Sequence, residues 1–261
     1  MINTQLVKSF IHHRLKAKTR HGVHSPFVYH LVDKVIYDFI PKADYKSIEE
    51  LRKTLLTDKR EITITDLGAG SHVNNNKKKH VHQLAKNALK LPRLAQLIYR
   101  LANVTKPKNI IELGTCLGLT TAYLAKAAPE ASIKTIEGCN ETAAIARENF
   151  NKLQLSNVDF LIGNFDKLLP GIINQTEALD FVFVDGNHRK DATLNYFNWC
   201  LPKVHDNSLL IFDDIYWSKG MKEAWEEIKN HPQVTVTIDL FWIGLVYFKK
   251  GQEKEHFRIK F

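Results

Sequence analysis

The second half of the chain alternates regularly between apolar strands and helices, and this pattern constrains the fold more than any other feature. Five short apolar runs are predicted to be strands, at 109–114, 132–138, 158–164, 179–186 and 208–214. Strands that alternate with helices of this size form βαβ units and a mainly parallel, doubly wound sheet. Two further strand-like runs, 234–241 and 243–250, have no helix between them and predict an antiparallel pair at the end of the sheet. The sequence thus predicts an α/β fold with seven strands.

The N-terminal part of the chain is predicted to be helical. A weakly amphipathic basic helix covers residues 5–18. A second helix starts at Pro26, with Ser25 as its N-cap, because serine caps helices well and proline suits the first helical position. Its apolar residues recur every three or four positions as far as Ile40, which indicates one face packed against a core.

A third, short helix follows, and no catalytic motif is visible before it. Ser47 and Glu50 resemble a capping box that opens this helix. We predict that residues 1–84 form an N-terminal helical and lid extension, and that residues 85–261 form the main domain.

The composition is that of an ordinary globular protein, with 261 residues of which 44% are hydrophobic and 25% charged. No apolar run reaches the roughly eighteen residues that a membrane span needs, and the N-terminus lacks the apolar core of a secretion signal. The three cysteines, Cys116, Cys139 and Cys200, are isolated and form no CxxC pair. They are typical of reduced thiols, so the sequence predicts a cytoplasmic protein without a membrane partner.

The chain carries a net charge of +9, which raises the question of nucleic-acid binding. Much of the excess lies near the N-terminus and at 77–79, where solvated faces and a loop account for it more simply. Zinc fingers, RNP-like aromatic motifs and Arg-rich tails are absent from the sequence. Nucleic acid is therefore disfavoured as a partner, although an RNA substrate is kept as an alternative.

Two glycine-containing stretches look alike, and only one of them fits a nucleotide-binding turn. Residues 64–73 read ITDLGAGSHV, and residues 110–119 read IIELGTCLGL. Such a turn must leave a buried strand and enter a helix, so that free N–H groups and the positive end of the helix face the ligand. An acidic residue should end the next strand and accept hydrogen bonds from a ribose.

The second stretch meets these requirements. Strand 109–113 leads into Gly114 and Gly118, a helix follows, and the next strand ends at Glu137. The first stretch is followed by the polar residues HVNNNKKKH, which predict a loop instead of a helix. We therefore assign the cofactor to Gly114–Gly118, and we interpret residues 66–80 as a lid that includes Asp66, Gly68, Gly70 and Ser71.

The motif E-x-G-T-x-x-G at residues 112–118 resembles that of the class I S-adenosylmethionine-dependent methyltransferases, which have a Rossmann-like sheet. The resemblance covers roughly residues 85–250. It implies S-adenosyl-L-methionine as the cofactor and these cofactor-binding residues: Glu112, Gly114, Thr115, Gly118, Glu137, Gly138, Asn164, Phe165 and Asp185. In this family the acid that ends the second strand holds the ribose hydroxyls, and the loop after the third strand lies beside the adenine.

Three carboxylates follow the fourth and fifth strands, Asp185 after one and Asp213 and Asp214 after the other. Ligands bind outside the carboxyl ends of the strands in such a sheet, so the three should converge there. Carboxylates that lie together repel one another unless a cation separates them, and oxygen ligands suit Mg²⁺. We predict these three residues as metal ligands.

This arrangement resembles the catechol and caffeoyl-coenzyme-A O-methyltransferases, which use an Asp and an Asp-Asn pair as metal ligands. Where those enzymes have a lysine, this chain has His188, in a D-G-x-H pattern also found in a group of bacterial small-molecule methyltransferases. An imidazole is a suitable base for a hydroxyl proton. The resemblance implies His188 and Asp185 as catalytic residues and metal-assisted O-methylation of a small hydroxylated acceptor.

Two alternatives stay open at this point: a metal-independent RNA methyltransferase, and a non-catalytic protein that binds S-adenosylmethionine. The acceptor and the oligomeric state do not follow from the sequence, and a homodimer is one alternative.

Overall fold

The computed structural model describes residues 4–65 and 78–261. Backbone contacts divide the chain into two compact units, one made of Met1–Asp38 and Pro170–Phe261 and the other of Phe39–Leu169. The domain boundary at residue 84 that the sequence suggests stays a prediction.

The helices are α1 (Thr4–Lys16), α2 (Pro26–Leu31), α3 (Tyr45–Leu55), α4 (Val81–Ala88), α5 (Pro92–Thr105), α6 (Leu119–Ala127), α7 (Asn140–Lys152), α8 (Phe165–Gln175), α9 (Lys190–Cys200) and α10 (Lys219–Asn230). The strands are β1 (Glu61–Thr63), β2 (Lys78–His80), β3 (Asn109–Leu113), β4 (Ser132–Glu137), β5 (Val158–Ile162), β6 (Leu179–Val184), β7 (Val204–Asp213), β8 (Val236–Asp239), β9 (Ile243–Tyr247) and β10 (Glu255–Arg258).

In the unit Phe39–Leu169, strands β3, β4 and β5 lie side by side and all run parallel. Ile110, Ile111 and Leu113 of β3 are buried, as expected for a strand covered on both faces. β1 and β2 form a separate antiparallel pair. The parallel order predicted from strand–helix alternation is confirmed for these strands.

In the other unit, the strand order is β10-β8-β9-β7-β6. β6 and β7 are parallel, whereas β9 runs antiparallel to both β7 and β8. The predicted α/β class and the antiparallel pair near the C-terminus are therefore confirmed. The predicted count of seven strands is one short, because β10 adds an edge strand parallel to β8. Its sequence, EHFR, is only half-buried and carries no apolar run that would reveal a strand.

The N-terminal helices form largely as predicted. Ser25 caps α2, with its Oγ accepting a hydrogen bond from the Val28 amide. α2 continues as a π-helical turn, Val32–Ile36, and stops there, so the predicted extension of the helix to residue 40 is wrong. Phe39 and Ile40 are exposed and offer no packing that would prolong the apolar face.

The predicted capping box of α3 is also wrong. The helix starts three residues earlier, at the buried Tyr45, with Asp44 instead of Ser47 as its N-cap residue. Ser47 lies inside the helix, where its hydroxyl donates to the carbonyl oxygen of Asp44.

The stretch predicted to be a lid lies mostly outside the described residues, which resume at Lys78. Lys78–His80 pair with Glu61–Thr63, so the chain on either side of residues 66–77 is joined by a short strand pair. Within 4–65 and 78–261, we find no helix of the length and apolar character needed to cross a bilayer.

Candidate active site

The turn between β3 and α6 has the backbone geometry of a ligand-binding loop. Gly114 and Gly118 have φ values of 97° and 78°, a region that glycine enters without steric cost. Gly118 is the N-cap of α6. The amides of Gly114 and Thr115 both donate to the Ile136 carbonyl oxygen, which ties the turn to the neighbouring strand β4.

The far end of the turn is packed tightly against α7. A Cβ atom at Gly118 would lie 2.5 Å from Cε1 of Phe150, closer than any real contact. Next to Phe150, the buried Asn149 donates from its side-chain amide to the Leu117 carbonyl oxygen. The turn is therefore closely packed against α7.

Glu112 lies beneath the turn. Its side chain is fully buried, and one carboxylate oxygen accepts hydrogen bonds from the hydroxyls of Thr121 and Thr135. Thr121 belongs to α6 and Thr135 to β4, so the carboxylate joins three elements around the turn. This geometry gives Glu112 a supporting role, and its direct contact with a cofactor stays a prediction.

Glu137 lies beside the turn, as the sequence predicts. Its two carboxylate oxygens accept hydrogen bonds from the amides of Cys116 and Cys139, at 2.7 and 2.9 Å. The side chain is half-buried. A carboxylate fixed by two backbone amides keeps lone pairs for further donors, as a ribose-binding acid requires.

The loop after β5 is held next to the same strand end. The Gly163 amide donates to the carbonyl oxygen of Glu137. Asn164 accepts a hydrogen bond from the Asp166 amide, which caps the start of α8. Gly138, Asn164 and Phe165 are all half-buried, so this edge of the unit keeps exposed surface beside Glu137.

A second cluster of chemically active side chains lies in the other unit. Asp185 directly follows β6, and Asp213 is the last residue of β7. Together with His188 they offer one ligand atom each, and these atoms all lie within 4.8 Å of one another. Asp213 is almost fully buried, whereas the other two are half-buried.

Asp214 is the third carboxylate predicted as a metal ligand, and its backbone lies outside β7 in an unusual conformation. Its φ of 53° lies in the left-handed region, and its amide donates to the Trp242 carbonyl oxygen at 2.7 Å. The His188 Nε2 atom lies 3.9 Å from a carboxylate oxygen of Asp214 and 3.9 Å from one of Asp185. His188 thus lies close to both Asp185 and Asp214.

The loop that carries His188 is fixed by a residue that the sequence did not identify. Asn187 has a φ of 52°, and its side chain accepts from the Arg189 guanidinium and donates to the buried Tyr196 hydroxyl. Asparagine tolerates the left-handed region better than most residues, which is the one signal that could have pointed to it.

Residues 111–215 match the family described as a methyltransferase domain. The matched segment includes the glycine turn, Glu137 and all four residues of the second cluster. This part of the chain is therefore similar to a methyltransferase domain.

Similar proteins agree with this assignment. The chain is 29% identical over 127 residues to the catechol O-methyltransferase of Niastella koreensis, covering 48% of this chain and 57% of that protein. It is 25% identical over 145 residues to the catechol O-methyltransferase of Mycobacterium tuberculosis, covering 52% and 64%. The chain therefore spans about three fifths of the length of these curated relatives. The resemblance to class I methyltransferases of the catechol type is confirmed.

A solved structure confirms the fold. An O-methyltransferase from Bacillus cereus, solved in complex with SAH, has a TM-score of 0.57 with this chain at 18% identity, over 84% of this chain and 95% of that one. Since the likeness extends beyond residues 111–215, the Rossmann-like α/β arrangement holds for most of the chain.

The matched segment does not include the N-terminal helices or the strands after β7. One contact joins α1 to the turn between β8 and β9: the ring of Trp242, which is 40% exposed, packs against Phe241 and against Phe10 of α1. The Trp242 backbone also accepts the Asp214 amide, so these outlying elements support the backbone of a predicted site residue.

Proposed function

We propose that this chain is an S-adenosylmethionine-dependent O-methyltransferase that acts on a small hydroxylated acceptor with the help of a divalent cation. The observation that carries the proposal is the glycine turn with Glu137 hydrogen-bonded to its backbone, inside a segment similar to a methyltransferase domain.

The residues of the turn fit S-adenosylmethionine, which supplies the methyl group when bound. Gly114 carries no side chain, so a ligand can approach its backbone closely, whereas the space beside Gly118 is filled by Phe150. Glu137 is oriented by two amides and can accept from the two hydroxyls of a ribose. Gly138, Asn164 and Phe165 would flank the base, and Glu112 with Thr115 would hold the turn in place.

The residues of the second cluster fit a divalent cation. Asp185 and Asp213 bring carboxylate oxygens within 4.8 Å of each other beside the His188 ring, and the Asp213 carboxylate is withdrawn from water. Carboxylates in such proximity are stabilised by a cation among them. A cation held there would orient an acceptor hydroxyl and ease loss of its proton. His188 is the predicted base for that proton, and Asp185 the predicted catalytic carboxylate.

The relatives and the cluster support the proposed acceptor class. Two of the relatives are catechol O-methyltransferases, and a cation held by side chains suits an oxygen acceptor. We infer a small molecule in place of RNA, and a cytoplasmic location, since the three cysteines are free thiols.

The direct test measures methyl transfer from S-adenosylmethionine to a panel of catechols and other hydroxylated compounds, with products identified by mass. We expect transfer that EDTA abolishes and that the double variant Asp213→Ala, Asp214→Ala lowers by about 100-fold or more, since a metal contributes several kcal/mol to such steps. Asp180→Ala is the matched control, because Asp180 pairs with His205 outside the cluster.

Two results would contradict the proposal. Full activity of the double variant would show that methyl transfer does not need a metal at this site. Tight cofactor binding without turnover of any acceptor would favour the alternative of a non-catalytic binding protein.

A further inference from the structure

We propose that His188 is itself a ligand of the cation and not the base that deprotonates the acceptor, and that the site therefore prefers a transition-metal ion such as Mn²⁺, Co²⁺ or Zn²⁺ to Mg²⁺. The inference rests on the proposed function only in placing a cation in this cluster. The sequence predicts metal ligands that are all oxygen atoms, whereas this inference adds the nitrogen atom of His188 to the ligands.

The distances around His188 support this role. Its Nε2 atom lies 3.9 Å from a carboxylate oxygen of Asp185 and 3.9 Å from one of Asp214. A hydrogen bond needs about 2.7–3.2 Å, so neither carboxylate orients the imidazole directly. Two ligands on opposite sides of one ion, each about 2.0–2.2 Å from it, lie at most about 4.4 Å apart. A separation of 3.9 Å is therefore too long for a direct bond and fits two ligands that share an ion.

The position of the Nε2 atom leads to the same assignment. The same nitrogen atom, Nε2, faces two carboxylates on different loops, one after β6 and one after β7. A base must present a nitrogen to the acceptor, whereas a ligand must present it to the point where the carboxylates converge. Asp213 also reaches that point, with its ligand atom within 4.8 Å of those of His188 and Asp185.

The His188 backbone is held as a ligand requires. Asn187, immediately before it, adopts a left-handed conformation and is hydrogen-bonded to Tyr196 and Arg189 on either side. Tyr196 is buried in α9, so the loop is anchored to the core of its unit. Groups that hold a metal ligand in place raise the affinity of the site for the metal, because less entropy is lost when the ligand side chain becomes ordered.

The donor set then determines the choice of metal. Mg²⁺ prefers oxygen ligands in a regular octahedron and retains water. Imidazole binds Mn²⁺, Fe²⁺, Co²⁺ and Zn²⁺ better, with affinities that rise along the series from manganese to copper. One imidazole with two or three carboxylates is thus expected to favour these ions.

The test measures metal binding in the absence of cofactor and acceptor. Metal-free protein is titrated with Mg²⁺, Mn²⁺ and Co²⁺ by calorimetry, and with Co²⁺ by visible absorption. We expect the unsubstituted protein to bind Co²⁺ at least about 10-fold more tightly than Mg²⁺. His188→Ala should lower Co²⁺ affinity at least about 10-fold and change the Co²⁺ spectrum, while Mg²⁺ affinity falls far less. His205→Ala is the matched control, since this histidine also pairs with an aspartate but lies outside the cluster.

A gain-of-signal variant guards against a general loss of folding. His188→Cys should add an intense near-ultraviolet band from thiolate to Co²⁺ if position 188 coordinates the ion. Melting temperatures in EDTA confirm that each variant folds.

The inference is overturned if His188→Ala keeps the Co²⁺ affinity and spectrum, or if His188→Cys shows no new band. If His188→Ala keeps the Co²⁺ affinity and spectrum but loses methyl transfer, His188 is the base and not a metal ligand. Failure of the proposed function is a different outcome: the metal spectra would stand while no acceptor is methylated.

Discussion

At the residue scale, Gly118 has to be glycine for two independent reasons. Its φ of 78° disfavours any side chain, and a Cβ would meet the ring of Phe150. We therefore expect Gly118→Ala to lower the free energy of unfolding by at least about 1–2 kcal/mol. It should also weaken S-adenosylmethionine binding, since α6 begins there.

Urea unfolding and calorimetry check this prediction. Gly171→Ala is the control: it lies within α8, and a Cβ there meets no atom within 4 Å. Alanine should stabilise that helix by about 0.5–1 kcal/mol. Equal stability and equal cofactor affinity of the two variants would show that the turn tolerates a side chain.

The predicted site residues differ in how visible they are in the sequence. Glycines at a strand–helix turn are required by backbone geometry, so the spacing of Gly114 and Gly118 was enough to predict the turn. The left-handed conformation of Asp214 is supported by Trp242, a partner distant in sequence, and no local pattern reveals it, whereas the asparagine at 187 is itself a weak local signal.

At the element scale, α1 is attached to its unit through a buried polar contact. His13, almost fully buried, lies 3.0 Å from Asp239 at the end of β8, and the same carboxylate accepts from the Tyr216 hydroxyl. Burial by itself would raise the pKa of Asp239, but the hydrogen bonds from His13 and Tyr216 outweigh it and hold the pKa below the ordinary value of 3.8.

This carboxylate should make the fold acid-sensitive. A lowered pKa contributes stability that is fully present above pH 3.8 and is lost as the pH falls through the lower folded value. We expect Asp239→Asn to lower the free energy of unfolding by about 1–3 kcal/mol near neutral pH and to reduce the further loss on acidification.

Urea midpoints measured down to about pH 3 test the sign. Asp206→Asn, which removes an exposed partner of Lys250, should have little effect. A loss of stability in Asp239→Asn that is the same at every pH would contradict the assignment.

The predicted lid, residues 66–80, is a second element whose function can be tested. The structure ties its flanks together: Lys78–His80 pair with β1, and the sulfur of Cys139 contacts Thr63 and Thr65 next to Glu137. Deleting 72–77, and leaving 78–79 in place for the strand pair, should raise the KM for cofactor or acceptor several-fold without lowering the melting temperature. Unchanged kinetics would contradict the hypothesis that residues 66–80 form a lid.

At the scale of the whole molecule, the net charge of +9 does not by itself make a nucleic-acid-binding protein. We expect only weak, sequence-independent RNA binding, which falls steeply between about 50 and 200 mM salt because it releases counterions. Fluorescence anisotropy at these salt concentrations measures it. Tight binding at the higher salt, together with methylated RNA, would favour the RNA alternative.

The sequence by itself determined the α/β class, the parallel order of the main strands, the glycine turn between β3 and α6, and the proximity of Asp185, His188 and Asp213. Each depends on local rules: hydrophobic periodicity, the conformational freedom of glycine, and the fact that parallel strands end at one edge.

Only the tertiary structure decided the rest. β10 forms because β8 offers an edge to pair with, although its own residues show no apolar pattern. Glu112 is a buried support because α6 and β4 close over it. His188 faces two carboxylates at once because two loops meet. These features depend on contacts between segments far apart in the chain, which local patterns do not encode.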